Sequence, residues 1–230
     1  MKNQKRFALI AAAAVGLTSF VHSQIVVAGY NMDALSASTQ DLVTASALTE
    51  AANLTLNIGN PANAYPDTIV TANVTNANAY GTSDAAFTND AFFSFTLTVG
   101  SDPLSFETIS LQATRGGTSP AFRGFGLRVI DPANNVIDIA GDVSLTSNRG
   151  TFTDFSYDLS AIPSLQNVAS GESIRFEMAV MMGSFSSGTR NIDIDNIVVT
   201  AIPEPTTYAA LFGLAGLLLV LRRRMSARKA

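Results

Sequence analysis

Apolar and polar residues alternate along several segments of this chain, which is the pattern of half-buried β-strands. In Phe93–Val99 every second residue is a large apolar one. The same alternation recurs over Asp154–Leu159 and is longest from Ile174 to Met182. Less regular apolar runs predict further strands at Ile25–Ala28, Asn53–Ile58, Thr68–Val74, Leu104–Ala113, Gly124–Ile130, Val136–Ile139 and Asn191–Thr200.

Two local features depart from simple alternation. The apolar phase slips between Phe106 and Ile109, which predicts a β-bulge at this point. The stretch Met32–Ala52 is rich in small residues with modest Leu and Val spacing, and we interpret it as the one helix-like segment.

Turn-forming residues separate the predicted strands. Examples are Asn60-Pro61, Asp102-Pro103, Gly116-Gly117 and Asp131-Pro132. About ten short strands with this punctuation favour an all-β fold over a helical or α/β fold. We predict an antiparallel β-sandwich of the jelly-roll type.

The first residues of the chain have the order of a secretory signal. Lys2, Lys5 and Arg6 precede an apolar run from Phe7 to Phe20, and Val21–Ser23 supplies residues that signal peptidase accepts. This order predicts a signal peptide over residues 1–23, handled by the Sec export machinery and signal peptidase.

The last residues predict a membrane span. Thr206–Leu221 carries no charge and is followed by Arg222, Arg223 and Arg224. Sixteen helical residues reach about 24 Å, which is short of the roughly 30 Å bilayer core, but arginine side chains can snorkel to the interface. We predict a transmembrane helix over 206–221, with the arginines as a stop-transfer signal and the tail 222–230 in the cytoplasm. The alternative, a buried or amphipathic helix, lacks a polar face here.

The tripeptide Pro203-Glu204-Pro205 stands directly before this span. The order of acidic tripeptide, apolar span and arginine cluster resembles the C-terminal signal of PEP-CTERM proteins, over about 28 residues. The resemblance implies recognition by an exosortase, a membrane-embedded cysteine transpeptidase or protease that acts at or near the tripeptide. It also implies transient anchoring in the inner membrane of a Gram-negative-type bacterium, followed by release to the cell surface or exopolysaccharide matrix. Both prolines disfavour helix, so we expect an extended motif with an unpaired backbone.

The predicted organisation is therefore a signal peptide (1–23), a β-sandwich domain (24–201) and a sorting signal (202–230). Between Gln24 and Pro205 the chain has six arginines, no lysine and all eighteen acidic residues, a formal charge of −12. Such a body repels phosphate backbones, which argues against nucleic-acid binding.

Missing residue types exclude most catalytic chemistry. The only histidine, His22, lies in the predicted signal peptide, and the chain has no cysteine. Catalytic triads, cysteine nucleophiles, lysine Schiff bases and the usual zinc, copper and iron sites are therefore excluded from the body. A pair of carboxylates, as in glycosidases, remains open.

Three constellations have both a functional and a structural interpretation. Asp193 and Asp195 share one face of the predicted last strand and offer oxygen ligands for Ca²⁺, or they are solvated carboxylates of an edge strand. Arg115-Gly116-Gly117 and Arg123-Gly124-Phe125 form either a sugar- or anion-binding rim or ordinary surface ion pairs. The Asn- and Thr-rich stretch Asn53–Asn89, with Tyr65, Tyr80 and Phe87, suits a polysaccharide-binding face or plain β-turns.

The main hypothesis is an exported, non-enzymatic protein of the cell surface or extracellular matrix, with no cofactor other than a possible Ca²⁺. The body resembles the carbohydrate-binding-like sandwiches of exported bacterial proteins, so the alternative is a carbohydrate-binding module with a defined glycan site and an aromatic-lined sheet face. A third hypothesis, an acidic glycoside hydrolase, requires two facing carboxylates about 5 Å or about 6.5–9.5 Å apart.

Overall fold

A computed structural model of the chain describes residues 24–30, 38–39, 42–58, 70–75, 80–116, 123–146, 151–183 and 189–204. The predicted signal peptide, the predicted transmembrane helix, Pro205 and Arg222–Arg224 lie outside these residues. Within the described ranges, no helix combines the length and apolar composition needed to cross a bilayer.

Thirteen strands, one α-helix and one short 3-10 helix (Pro163–Leu165) form within the described ranges. The helix, α1, is Ser83–Thr88. The strands in chain order are β1 Ile25–Tyr30, β2 Ser38–Thr39, β3 Val43–Ala45, β4 Thr49–Glu50, β5 Thr55–Ile58, β6 Val70–Thr75, β7 Phe92–Val99, β8 Leu104–Arg115, β9 Arg123–Ile130, β10 Val136–Ser144, β11 Thr153–Asp158, β12 Ser173–Met182 and β13 Thr189–Pro203.

The strands pair antiparallel in two sheets. The front sheet has the order β10-β9-β12-β7-β3, and β4 also pairs with β7. The back sheet has the order β11-β8-β13-β1-β2, with β6 on β13 and β5 on β6. From β7 to β13 the chain passes repeatedly between the sheets, as a jelly roll requires. The predicted all-β, two-sheet sandwich is confirmed.

The inward faces of the two sheets form one core. In β7 the alternation predicted from the sequence puts Phe93, Phe95, Leu97 and Val99 inside. The Phe95 ring lies 5.2 Å from that of Phe176 and 4.8 Å from that of Tyr30, measured between centroids. These aromatic contacts join β1 of the back sheet to β7 and β12 of the front sheet.

Tyr30 brings a polar group into this core and satisfies it. Its hydroxyl donates a hydrogen bond to the Ser46 carbonyl at 2.6 Å, and burial raises the pKa of the phenol. A buried hydroxyl that lacked a hydrogen bond would be destabilising, and the bond to Ser46 avoids this cost.

The bulge predicted between Phe106 and Ile109 is present. Thr200 pairs with Thr108 and Ala201 pairs with Phe106, so Glu107 is the extra residue of β8. Phe106 and Ile109 are three residues apart, so in a regular strand their side chains would point to opposite faces. The extra residue lets both side chains point into the core, where both are buried.

The helix-like interpretation of Met32–Ala52 is wrong for the described part of that stretch. Strands β2, β3 and β4 lie there instead. Val43 pairs with Val99 and Thr49 with Ser94, so β3 and β4 cover the edge of β7. Tertiary pairing with this edge outweighs the helix propensity of the small residues.

The sequence reading missed α1, which packs on the outer face of the front sheet. Thr82 caps it by accepting a hydrogen bond from the Ala85 amide. A Cβ atom at Gly126 of β9 would lie 2.3 Å from the Ser83 Cβ atom. The missing side chain at Gly126 therefore allows the helix to lie close to the sheet.

We expect Gly126→Ala to lower the free energy of unfolding by about 1–3 kcal/mol, because the new methyl group collides with Ser83 and displaces α1. Gly141→Ala is the matched control, since a Cβ atom at Gly141 meets no atom within 4 Å, and it should change stability by less than about 0.5 kcal/mol. Urea unfolding of both variants checks the difference. Equal stabilities would contradict the close approach at Gly126.

Candidate functional site

The uncovered half of the front sheet's outer face carries a row of four side chains. Thr96 of β7 pairs with Arg175 of β12, Arg175 with Ile130 of β9, and Ile130 with Val136 of β10. Residues directly opposite each other project from the same face. The row therefore places a hydroxyl, a guanidinium and two aliphatic side chains side by side.

A charged row lies next to it. Glu177 of β12 is only 1% exposed, and its Oε2 atom lies 2.6 Å from Arg128 Nε. Its Oε1 atom lies 2.7 Å from Nη2 of Arg175, whose side chain is half exposed. Because a buried carboxylate is costly without partners, the two arginines are required by Glu177. In return, Glu177 fixes the Arg175 guanidinium at the surface.

Helix α1 forms a wall beside these rows. The Arg128 guanidinium carbon lies 3.8 Å from the Phe87 ring centroid, which is a cation–π contact. At the start of the helix, the amide and hydroxyl of Ser83 both donate to Asp142 Oδ1 at 2.7 Å. These hydrogen bonds lower the pKa of Asp142. The wall is thus tied to the sheet at both ends.

The turn between β9 and β10 forms the opposite wall. Asp131 is buried and accepts hydrogen bonds from the amides of Ala133 and Asn135 at 2.9 and 2.8 Å. Its other oxygen accepts from the Asn135 side chain at 2.9 Å. The Asn135 side-chain bond is the main reason that the pKa of Asp131 lies below its ordinary value. These hydrogen bonds are all made within the turn, and they hold its backbone in one conformation.

Beside this turn is a shallow cleft of about 310 Å³, here named the Arg175 cleft. It is lined by Thr96, Ile130, Asp131, Pro132, Asn134, Ser173, Ile174 and Arg175. Its polar groups are hydroxyls, an amide, a carboxylate and a guanidinium, and its apolar part is aliphatic. A second cleft of about 270 Å³ lies on the other side of the same turn, next to Gln166 and Glu172.

The predicted calcium candidates lie elsewhere, on the outer face of the back sheet. Strand β13 is central in that sheet, so the edge-strand interpretation is wrong. Asp193 is 4% exposed and its Oδ1 accepts hydrogen bonds from Thr71 Oγ1 (3.0 Å) and Asn191 Nδ2 (2.8 Å). Asp195 accepts from the Asn196 amide at 2.7 Å. In the part of the chain that the structure describes, no three Asp, Glu, His or Cys side chains are close enough together to hold a metal ion.

The two arginine–glycine segments do not form an exposed rim in the described residues. Arg123, Gly124 and Phe125 are buried in β9, because Gly124 lets the Val143 carbonyl of β10 approach closely. Arg115 is half-buried at the end of β8, and Gly117 lies outside the described residues. Both interpretations placed Arg123-Gly124-Phe125 at the surface, and its burial shows that this placement is wrong.

The aromatic residues of Asn53–Asn89 also do not form an exposed platform. Phe87 is buried under Arg128, Tyr80 packs half-buried against the same small cluster, and Tyr65 lies outside the described residues. Among the described residues, the large hydrophobic side chains that are exposed are Val26 (46%) and Val136 (56%).

The predicted sorting motif begins inside the last strand. Pro203 pairs with Leu104 of β8, and the Glu204 amide donates to the Pro103 carbonyl at 3.0 Å. The expectation of an unpaired backbone is wrong for these two residues. Strand β13 continues to Pro203 because Leu104 and Ser105 still offer partners.

Sequence reasoning missed Arg128, Asp131 and the arrangement of Arg175 with Glu177. Alternation placed Arg175 and Glu177 on the polar side of their strand, but β9 and β12 are more than forty residues apart in the chain. An Asp-Pro pair followed by two Asn was a usable signal for the rigid turn.

Comparisons with known proteins give a likeness in fold at low similarity. No family model and no curated protein matches the chain. The xylan-binding domain CBM22-1 from Paenibacillus barcinonensis aligns with a TM-score of 0.42 and 9% identity, over 80% of this chain and 99% of that domain. A family 29 carbohydrate-binding module complexed with mannohexaose gives 0.37 and 11%, over 77% and 92%. Similarities this low do not indicate a function for this chain.

We expect Asp131→Asn to destabilise the protein at pH 7, because the amide cannot replace a carboxylate that accepts three hydrogen bonds. The lowered pKa of Asp131 means that its stabilising effect is complete above the unfolded-state pKa of about 3.9. That effect is lost as the pH falls through the lower folded-state pKa. The difference in unfolding free energy between wild type and variant should therefore shrink below about pH 4.

Denaturant unfolding at a series of pH values measures this difference. The exposed carboxylate Asp138 provides the control, since Asp138→Asn should leave the stability at pH 7 close to that of wild type. A wild-type advantage over Asp131→Asn that grows on acidification would show that the sign is wrong.

Proposed function

We propose that this chain is an exported, non-enzymatic protein of the cell surface or extracellular matrix, and that its sandwich binds polysaccharide in the Arg175 cleft. The observation that carries the proposal is the open cleft itself, in which the half-exposed, ion-paired Arg175 guanidinium lies among hydroxyls and an amide, with the exposed Val136 beside the cleft. The cleft is on a rigid sheet, so its groups need little reordering on binding.

The groups lining the cleft match the two chemical features of a sugar. Sugar hydroxyls both donate and accept hydrogen bonds, and Thr96, Ser173 and Asn134 can do the same. The axial C–H face of a sugar ring is apolar, and Ile130 and Val136 offer an apolar surface next to these groups. A few convergent polar groups beside an apolar wall are typical of a binding site.

Charge favours a neutral polysaccharide over an acidic one. Arg128 and Arg175 face Glu177 at 2.6 and 2.7 Å, and Asp138 is paired in register with Arg128. With Asp131, which also lines the cleft, three carboxylates lie near two guanidiniums, so the local charge is slightly negative. The formal charge of −12 between Gln24 and Pro205 repels a polyanion at longer range.

Binding without catalysis agrees with how the carboxylates are used. Glu177 is held by two arginines, Asp131 by its turn, Asp142 by Ser83, and Asp193 by Thr71 and Asn191. A general acid needs a carboxyl group that can keep a proton. The hydrogen bonds to Asp131 and Asp142 lower the pKa of both carboxyl groups and so favour their charged forms instead.

Sorting completes the proposal and rests on the sequence. The signal-peptide pattern at residues 1–23 implies export through Sec, and Pro203-Glu204-Pro205 with its apolar span and arginines implies an exosortase partner. Delivery to a polysaccharide-rich surface then brings the cleft to its ligand.

We expect the purified protein to be retarded by a neutral polysaccharide such as xylan or a β-glucan in affinity electrophoresis. Arg175→Met keeps the aliphatic stem but removes the guanidinium, so binding should weaken roughly 10- to 100-fold through loss of charge-assisted hydrogen bonds. Val136→Thr, a near-isosteric change, should weaken binding by a few-fold because it places a hydroxyl on the apolar surface beside the cleft.

The matched control is Val26→Thr, the same change at an exposed valine of the back sheet, which should leave retardation unchanged. Alginate serves as the anionic polymer and should give no retardation. If both valine variants behaved alike, or if alginate bound best, the cleft would not be the neutral-glycan site.

We expect the intact mass of protein recovered from the cell surface or medium to show both processing steps. The species should begin near Gln24 and end near Pro203–Pro205, with or without an added group at the new C-terminus. A species that retains Arg222–Ala230 would mean a permanent membrane anchor and would contradict exosortase processing.

A further inference from the structure

The sorting motif is attached to the folded sandwich by backbone pairing. Ile202 pairs with Ser105 and Pro203 with Leu104, at the start of β8. The Glu204 amide extends the ladder by donating to the Pro103 carbonyl. The start of β8 is held on its other side by Val168, whose amide and carbonyl both bond Leu104 at 2.8 and 3.0 Å.

A side-chain contact adds to this pairing. The hydroxyl of Ser105, which is buried, donates to the Glu204 carboxylate. The Ser105 hydroxyl oxygen also accepts a hydrogen bond from the Asn167 amide at 2.9 Å. The acidic residue of the motif is therefore bound through one hydroxyl to the loop before β12. We name the contacts of Glu204 with Ser105 and Pro103 the Glu204 latch.

The latch can open without disturbing the core. Ile202, Pro203 and Glu204 are each half-buried, whereas the preceding Ala201 is completely buried in the main core. Strand ends with few buried contacts open locally at a free energy well below that of global unfolding. The boundary of local opening therefore falls between Ala201 and Ile202.

We propose that the Glu204 latch is an autoinhibitory contact that limits access of the processing enzyme to Pro203-Glu204-Pro205. The proposal rests on the sorting function proposed above. A protease binds its substrate as an extended segment whose backbone and side chains pair with the enzyme. In the closed latch Pro203 lies opposite Leu104 in the ladder, the Glu204 amide is bonded to the Pro103 carbonyl and the Glu204 carboxylate is bonded to Ser105, so processing requires local opening of the strand end.

The test uses the full-length chain with Ser105→Ala, which removes the hydroxyl but leaves the motif unchanged. Ser105→Thr keeps a hydroxyl and serves as the conservative variant. Ser110→Ala is the matched control, because Ser110 lies on the same outer face of β8 and pairs with Val198, away from the motif. Hydrogen exchange of the Glu204 amide is measured in detergent micelles, and motif processing is followed by pulse–chase in the native host.

We expect Ser105→Ala to speed exchange of the Glu204 amide roughly 5- to 30-fold, as loss of a hydrogen bond to a charged group implies. Processing should accelerate to a similar degree, while exchange of the core amide of Val180 stays at the wild-type rate. Ser105→Thr and Ser110→Ala should behave as wild type in both measurements.

Unchanged Glu204 exchange in Ser105→Ala would overturn the latch, whatever the fate of the tail. Faster exchange with unchanged processing would overturn its autoinhibitory role. If wild type were never cut at the motif, the sorting function itself would be wrong and the regulatory proposal would fall with it. Faster Glu204 exchange in Ser105→Ala would then still show that the latch exists, so the two failures can be told apart.

Discussion

The buried carboxylate of Glu177 constrains the whole front sheet. At 1% exposure it is stable as a charged group only where Arg128 of β9 and Arg175 of β12 reach it. A shift of β12 by one residue would turn Glu177 and Arg175 into the core and Phe176 out of it. The ion pairs thus allow one register, and that register aligns Thr96, Ile130 and Val136 beside Arg175. Through Phe87, the same Arg128 also holds helix α1 against the outer face of the front sheet.

The sequence predicted what depends on local pattern and missed what depends on pairing between distant strands. Strict alternation identified β7 and β12, and the phase slip after Phe106 identified the bulge at Glu107, because both follow from the two-residue period of a strand. The segment Met32–Ala52 was misread because its short strands form by pairing with distant strands, β2 with β1 and β3 and β4 with β7. Arg175 and Glu177 were correctly placed on a polar face. Their partner Arg128 comes from another strand, so no spacing along the chain could reveal the ion pairs or the cleft.

Polar side chains have different tasks on the two outer faces. On the front sheet they surround a cleft and remain partly available, as the half-exposed Arg175 shows. On the back sheet they bond mainly to each other across strands, as in the contacts of Thr108 with Thr200 and of Gln112 with Asp154. Such a network gives the back sheet a hydrated surface without exposed aromatic rings among the described residues. The proposed glycan site and the predicted sorting motif therefore lie on different sheets of the sandwich.

The bulge at Glu107 separates the last pairs of β13 from the rest of its ladder with β8. Tension applied beyond Glu204 would act first on the hydrogen bond between Glu204 and Pro103, and then on the three pairs that Pro203, Ile202 and Ala201 form with β8. The fully buried Ala201 is the last of these residues before the bulge. A pull on the end of β13 would therefore free a short segment first, while the pairs on the other side of the bulge stay closed.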